Sequence, residues 1–219
     1  MVRMKVSRAA VSSLALAAAI AIGVAPVRAD APPADSALYT RMQHLNAGLN
    51  SYQADLTVAV ETHGFPFISP TLQGKAYYKK PDKSAVVFQS VPALASQLKK
   101  VVAQLEPPAE WPRLYSVDQT GDDGRVTSFK LVRKKNGRID HVDVKVDDKS
   151  ATVVGMTYFY KDGGSIAFTQ TYEQQGSNYL LTEQHGKVDI PHYNADVTST
   201  FTNYKTNVAV PDSVFTENG

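Results

Sequence analysis

The chain has 219 residues, with 23 Lys/Arg against 21 Asp/Glu, no cysteine and a hydrophobic fraction of 43%. Without cysteine, thiol catalysis and disulfide stapling are excluded, and a hydrophobic core must hold the fold alone. Four of the cations (Arg3, Lys5, Arg8 and Arg28) lie in residues 1–29 without an acid, which leaves 19 cations against 21 anions beyond them. That balance excludes the strongly basic surface of a nucleic-acid-binding domain, so no nucleic-acid partner is expected.

The first stretch, MVRMKVSR, carries Arg3, Lys5 and Arg8; an apolar run follows from Ala9 to Ala25, and Val27-Arg28-Ala29 ends it as small-x-small. This is the order of a secretory signal peptide, and the run of ~16 residues falls short of the ~20 that cross a bilayer. Cleavage after Ala29 is expected, giving an exported or periplasmic single domain over 30–219. A length of that order suffices for one core.

Asp35 or Ser36 is placed to cap a helix, and Leu38, Met42, Leu45 and Leu49 recur as one apolar stripe after it. Gly48 and Asn50-Ser51 end it. From Tyr52 the period becomes two: QADLTVAVET, TLQGKAYYKKP and SAVVFQS read as strands. Helical spacing returns in VPALASQLKKVVAQLEPP, from Pro92 to the Pro107-Pro108 pair, with Leu94, Leu98, Val101, Val102 and Leu105 on its apolar face.

After Trp111 the chain reads as antiparallel sheet. GDDG at 121–124, Asn136-Gly137, Asp162-Gly163-Gly164 and Gln175-Gly176 are hairpin signals between alternating runs, with one slip of alternation near His141. Counted through HYNADVTSTFTNYK, the chain holds about ten strands, without the βαβ alternation of a parallel sheet. The predicted class is α+β: a curved antiparallel sheet, an incomplete β-barrel, with helices as a lid over its apolar side.

Catalytic vocabulary is sparse. There is no Gly-x-Ser-x-Gly, no Gly-x-x-x-x-Gly-Lys and no His-Glu-x-x-His. His44, His63, His141, His185 and His192 lack zinc-ligand spacing, and Asp118, Asp122 and Asp123 lack the offsets of a calcium loop. No catalytic residue, metal or cofactor is expected. A hydrolase whose paired carboxylates meet only in the fold stays open as a minor alternative. Apolar surface is in surplus, and a lipid site would be silent in a motif search. Each buried methylene gains about 0.8 kcal/mol, so sixteen carbons offer about 12 kcal/mol gross from dispersed contacts.

Four features taken in order resemble the LolA/LolB-like lipoprotein-carrier superfamily. These are the Leu49-Asn50-Ser51-Tyr52 passage from helix to strand, the Gly74-Lys75-Ala76-Tyr77-Tyr78-Lys79-Lys80-Pro81 strand, the helix inserted after an early strand, and the closing Asn207-Val208-Ala209-Val210-Pro211-Asp212-Ser213-Val214-Phe215. The resemblance implies a non-enzymatic carrier with a hydrophobic cavity for the acyl chains of a lipid or acylated protein, exchanged with membrane donor and acceptor proteins. Leu56, Val58, Tyr78 and Phe88 would line its walls, and Leu94, Leu98, Val101 and Leu105 its lid. Lys80 stands where the family places a basic latch before proline, would serve as a lid latch or a headgroup contact, and lacks the fork of arginine. In the tail, Asp212 is expected to bond its own turn and Phe215 to anchor on the sheet. A monomer is expected. The alternative on the same fold is an envelope regulatory module with a filled core that binds a partner protein.

Overall fold

The computed structural model describes residues 36–64, 69–81, 83–89, 105–191 and 193–215. The expected leader and the segment 92–104, with Leu94, Leu98 and Val101, lie outside them.

One antiparallel sheet contains the ten described strands: β1 (Ser51–Thr62), β2 (Thr71–Lys79), β3 (Lys83–Phe88), β4 (Tyr115–Asp122), β5 (Val126–Arg133), β6 (Ile139–Asp147), β7 (Val153–Tyr160), β8 (Ser165–Gln175), β9 (Asn178–Ile190) and β10 (Tyr193–Thr206). Their order is β3-β2-β1-β10-β9-β8-β7-β6-β5-β4. Each hairpin signal joins neighbours, and the first strand pairs with the last. The sheet does not close into a barrel: β3 and β4 are its edges, and the chain between them joins one edge to the other. The slip near His141 is a register shift between Ile139 and His141 against β7. It lets Ile139 and Val142 both serve the core.

Residues directly opposite in an antiparallel pair share a face. Val60, Val197, Gly186, Phe168, Met156, Val144 and Phe129 therefore form one continuous inner row from β1 to β5. Two pairs in the inner face are glycine against phenylalanine. Gly186 lies opposite Phe168, and a Cβ there would sit 2.8 Å from the ring. Gly74 lies opposite Phe88, and its Cβ would meet the Val87 carbonyl at 2.5 Å and the Phe88 ring at 3.0 Å. Each ring folds over the space its glycine leaves.

Helix α1 (Ala37–Gln43) starts at Ser36, whose hydroxyl accepts from the Tyr39 amide at 3.1 Å. It is shorter than the apolar stripe predicts. The chain leaves the helix because Asn46 adopts φ +56, and its carboxamide pairs with the Tyr179 backbone through bonds of 2.9 and 2.8 Å. Tyr39, outside the predicted stripe, is the more deeply buried side chain; its phenol donates to the Pro108 carbonyl at 2.5 Å. Tyr39 and Met42 pack with Trp111, in α2 (Trp111–Leu114), on Phe129, Leu131, Val142, Val144 and Tyr158. The β4–β7 half of the inner face is thus a filled core. Arg41 fastens α1 to the turn after β6, donating to the Asp148 and Lys149 carbonyls.

The acidic hairpin at 121–124 is a turn as expected, and a second acidic turn follows β6. Asp123 accepts from the Arg125 and Val126 amides, and Asp147 from the amide and hydroxyl of Ser150.

Candidate functional site

The four predicted wall residues lie along one face of β1–β3, spread over its length. Leu56 lies opposite Gly74, and Gly74 opposite Phe88, whose ring covers the glycine, so Leu56 and Phe88 stand on either side of Gly74 on the inner face. Val58 sits one step along β1 opposite Leu72, and Tyr78 one end away opposite Tyr52. Leu56, Leu72, Ala54 and Ala76 are buried on this face. Val58 also packs against a small cluster of Val60, Ile166, Val188 and Ala195. The β1–β3 half therefore carries a strip of aliphatic and small residues, about 27 Å long from Tyr52 to Val60 at the rise of a strand.

Tyrosines close one end of the strip. Tyr52 stacks on Tyr78 with ring centroids 5.5 Å apart and meets Tyr204 edge-on at 5.4 Å. Tyr204 donates to the Leu181 carbonyl at 2.5 Å, and Tyr172 to the Gln170 amide oxygen at 3.0 Å. Burial pushes the phenols of Tyr52, Tyr172 and Tyr204 above their ordinary range, reinforced by one another and by Tyr78. They stay neutral, as an apolar lining requires.

Lys80 is exposed at the end of β2. Its ammonium donates to the Ala47 carbonyl and its amide to the Asn50 carbonyl, so it holds β2 to the turn after α1. Asn207 binds the same turn through the Asn50 amide and the Gly48 carbonyl. Leu105 is half-buried and packs on the Trp111 core. It stands at the C-terminal foot of the connection between the edges.

Beside it lies a network that no sequence motif announces. The Glu106 carboxylate accepts from the Tyr115 phenol at 2.5 Å and from the Arg133 guanidinium, and its carbonyl accepts from the Trp111 indole at 2.7 Å. Burial acts to raise the Glu106 pKa, but the bonds from Tyr115, backbone and Arg133 outweigh it and hold the carboxyl below its ordinary value. Burial, with the Glu106 bond second, lifts the Tyr115 phenol to about 12. These three residues are far apart in sequence, so no local pattern announces them.

In the tail, Asp212 differs from expectation. Lys79 and Lys83 face each other across β2 and β3, and one Asp212 oxygen accepts from both, at 3.0 and 2.9 Å. Two like charges directly opposite need a counter-charge, and that need takes the carboxylate away from its own turn. Phe215 is half-buried, with the Lys83 ammonium 5.9 Å from its ring centroid, while Val210 is the buried anchor.

Among the described residues no three His, Asp or Glu side chains converge as a metal site requires, and no helix is long and apolar enough to cross a membrane.

No protein-family model and no curated protein sequence matches the chain. Solved structures do. A DUF1329 family protein from Desulfovibrio piger superposes with a TM-score of 0.64 at 14% identity, over 81% of this chain and 94% of its own. A domain assigned as an outer membrane lipoprotein-sorting protein from Vibrio parahaemolyticus gives 0.63 at 11% identity, over 82% and 94%. The LolA superfamily protein NE2245 from Nitrosomonas europaea gives 0.58 at 10% identity, over 81% and 95%. The fold is LolA-like.

Proposed function

We propose that this protein is a non-enzymatic carrier of the cell envelope, exported through its leader, which holds acyl chains of a lipid or lipoprotein against the β1–β3 half of its inner face. One observation supports this most: a sheet that stays open, with Leu56, Val58, Tyr78 and Phe88 gathered on the apolar strip of that half. The other half is already filled by α1 and α2. An acyl chain needs no special partner, only removal from water, at about 0.8 kcal/mol per methylene. The residues 92–105 would complete the cover, and Lys80, through Ala47, would set the position of α1 at its rim.

Purification without detergent, followed by lipid extraction and mass spectrometry, tests the proposal, together with uptake of a fluorescent fatty acid. Acyl species at stoichiometric amounts are expected. A clean protein that takes up no fatty acid would count decisively against it. The second reading, a partner-binding regulatory module, is favoured by the solid packing around Trp111 and predicts that clean result.

A further inference from the structure

The apolar row of the inner face has a polar neighbour. Two residues along each strand from Val60, Val197, Gly186 and Phe168 stand Val58, Ser199, Gln184 and Gln170. They pair in that order: Val58 lies opposite Ser199, Ser199 opposite Gln184, and Gln184 opposite Gln170. Residues two apart on a strand share a face. A hydroxyl and two carboxamides therefore cross the inner face from β10 to β8 and end against Val58, in the strip of β1. At the spacing of neighbouring strands the three groups span about 10 Å. All three residues are half-buried. A side-chain contact fixes the face independently. The Tyr172 phenol, which interacts with Tyr52 and Tyr204 in the tyrosine cluster, donates to the Gln170 oxygen at 3.0 Å.

The chemistry of this row is narrow. Because the Gln170 oxygen accepts from Tyr172, its amide nitrogen is left to donate. The Gln184 carboxamide and the Ser199 hydroxyl have no hydrogen-bond partner among the described residues, and neither is sealed from solvent. The row holds no Lys, Arg, Asp or Glu. The flanking inner positions, from Val60 to Phe168 on one side and Leu56, Phe201 and Tyr172 on the other, carry no charge either. An ionised group brought here would lose water and gain no counter-charge. A bare hydrocarbon would cover the three polar groups and leave them without partners. A neutral carbonyl meets both conditions: it carries no charge, and it accepts from the free amide hydrogens of Gln170 and Gln184 or from the Ser199 hydroxyl.

We infer that this row receives the acyl linkage of the cargo, the uncharged ester or amide carbonyl at which an acyl chain lying along β1 begins. It thereby favours acylated molecules over alkyl ethers and ionised fatty acids. The inference rests on the carrier reading, which supplies the chain in the adjoining strip.

The test displaces the neutral apolar dye N-phenylnaphthylamine from the purified protein with monolauroyl glycerol, dodecyl glyceryl ether, ionised laurate or N-lauroyl aminopropanediol, all below micelle-forming concentrations. The ester and the ether share chain length and headgroup and differ at the carbonyl. The ester should compete about tenfold better than the ether, the size of one or two net hydrogen bonds, and better than laurate. The amide, whose N–H can meet the Gln184 oxygen, identifies the linkage: competition stronger than the ester's assigns an amide, and equal or weaker competition an ester. Gln184→Leu combined with Ser199→Ala removes two side chains that have no bond to lose. It should cut the preference for ester over ether at least threefold, with the loss falling on the ester. Equal competition by ester and ether in the wild type, laurate matching the ester, or a preference unchanged by the two substitutions would each overturn the inference and leave the carrier reading standing. Failure of the dye and all four amphiphiles to bind would overturn the carrier reading, and the linkage site with it.

Discussion

Gly186→Ala tests whether the inner face is shaped by rings lying over glycines. The backbone at Gly186 is not left-handed, so alanine is conformationally acceptable there. Absent a clash, stiffening the unfolded chain would stabilise by about 0.4–1 kcal/mol. The added Cβ, however, falls 2.8 and 3.0 Å from two Phe168 ring atoms, and overpacking of this kind costs about 1–3 kcal/mol. The net expectation is a loss of about 0.5–2 kcal/mol, or several degrees in Tm at about 2–4 °C per kcal/mol for a domain of this size. Urea unfolding with an unchanged m-value is the assay. In a Phe168→Ala background the clash is gone, so Gly186→Ala should turn from destabilising to stabilising. Gly74→Ala is the control. Its nearest obstacle is the Val87 carbonyl at 2.5 Å rather than the Phe88 ring, so Phe88→Ala should not rescue it. If Gly186→Ala costs the same in both backgrounds, the ring is not what keeps that position glycine.

Three further outcomes are expected. Tyr115→Phe should cost about 1–2 kcal/mol by removing a bond to a charged partner. It should also flatten the alkaline limb of the stability profile: a phenol lifted from 10 to about 12 contributes stability below pH 10 that disappears between those values, measurable as Tm against pH. Asn46→Ala removes both bonds to Tyr179 and places a side chain without that compensation at φ +56; a loss of about 2–3 kcal/mol in urea is expected, and Asn46→Gly should recover only the backbone share. Asp212→Ala should lower Tm at low salt by leaving Lys79 and Lys83 facing each other, with the effect fading in high salt. The lysines hold the Asp212 carboxyl below its ordinary value, so the wild-type advantage should be present above the unfolded carboxyl range and vanish as pH falls through the folded one.

Strand positions were legible because alternation and hairpin residues are local signals. Asn136-Gly137 and Asp162-Gly163-Gly164 join the strands they were read to join, and the slip at His141 is a real shift of register. The end of α1 was not legible. The stripe through Leu49 continues a helical period, yet Asn46 is recruited by Tyr179 from the far side of the chain. The predicted wall residues lie at apolar positions of strands, as their alternation indicates, but which of them stand across from one another depends on register, with Gly74 between Leu56 and Phe88. Glu106, Tyr115 and Arg133 were illegible for the same reason in stronger form, since each is ordinary in its own segment.

The pairing of β1 with β10, from Tyr52 opposite Thr206 to Thr62 opposite Ala195, also sets a timetable. A chain delivered gradually, from a ribosome or through a translocation pore, can pair its first strand with β2 early but holds the other edge of that strand unmatched until almost the last residues emerge. Local hairpins can form early, but the seam that unites β1–β3 with the rest waits for completion, which makes assembly late and slow. Delayed zippering of this sort would keep a nascent polypeptide pliable for passage across a membrane, and would leave C-terminally truncated products permanently unsealed.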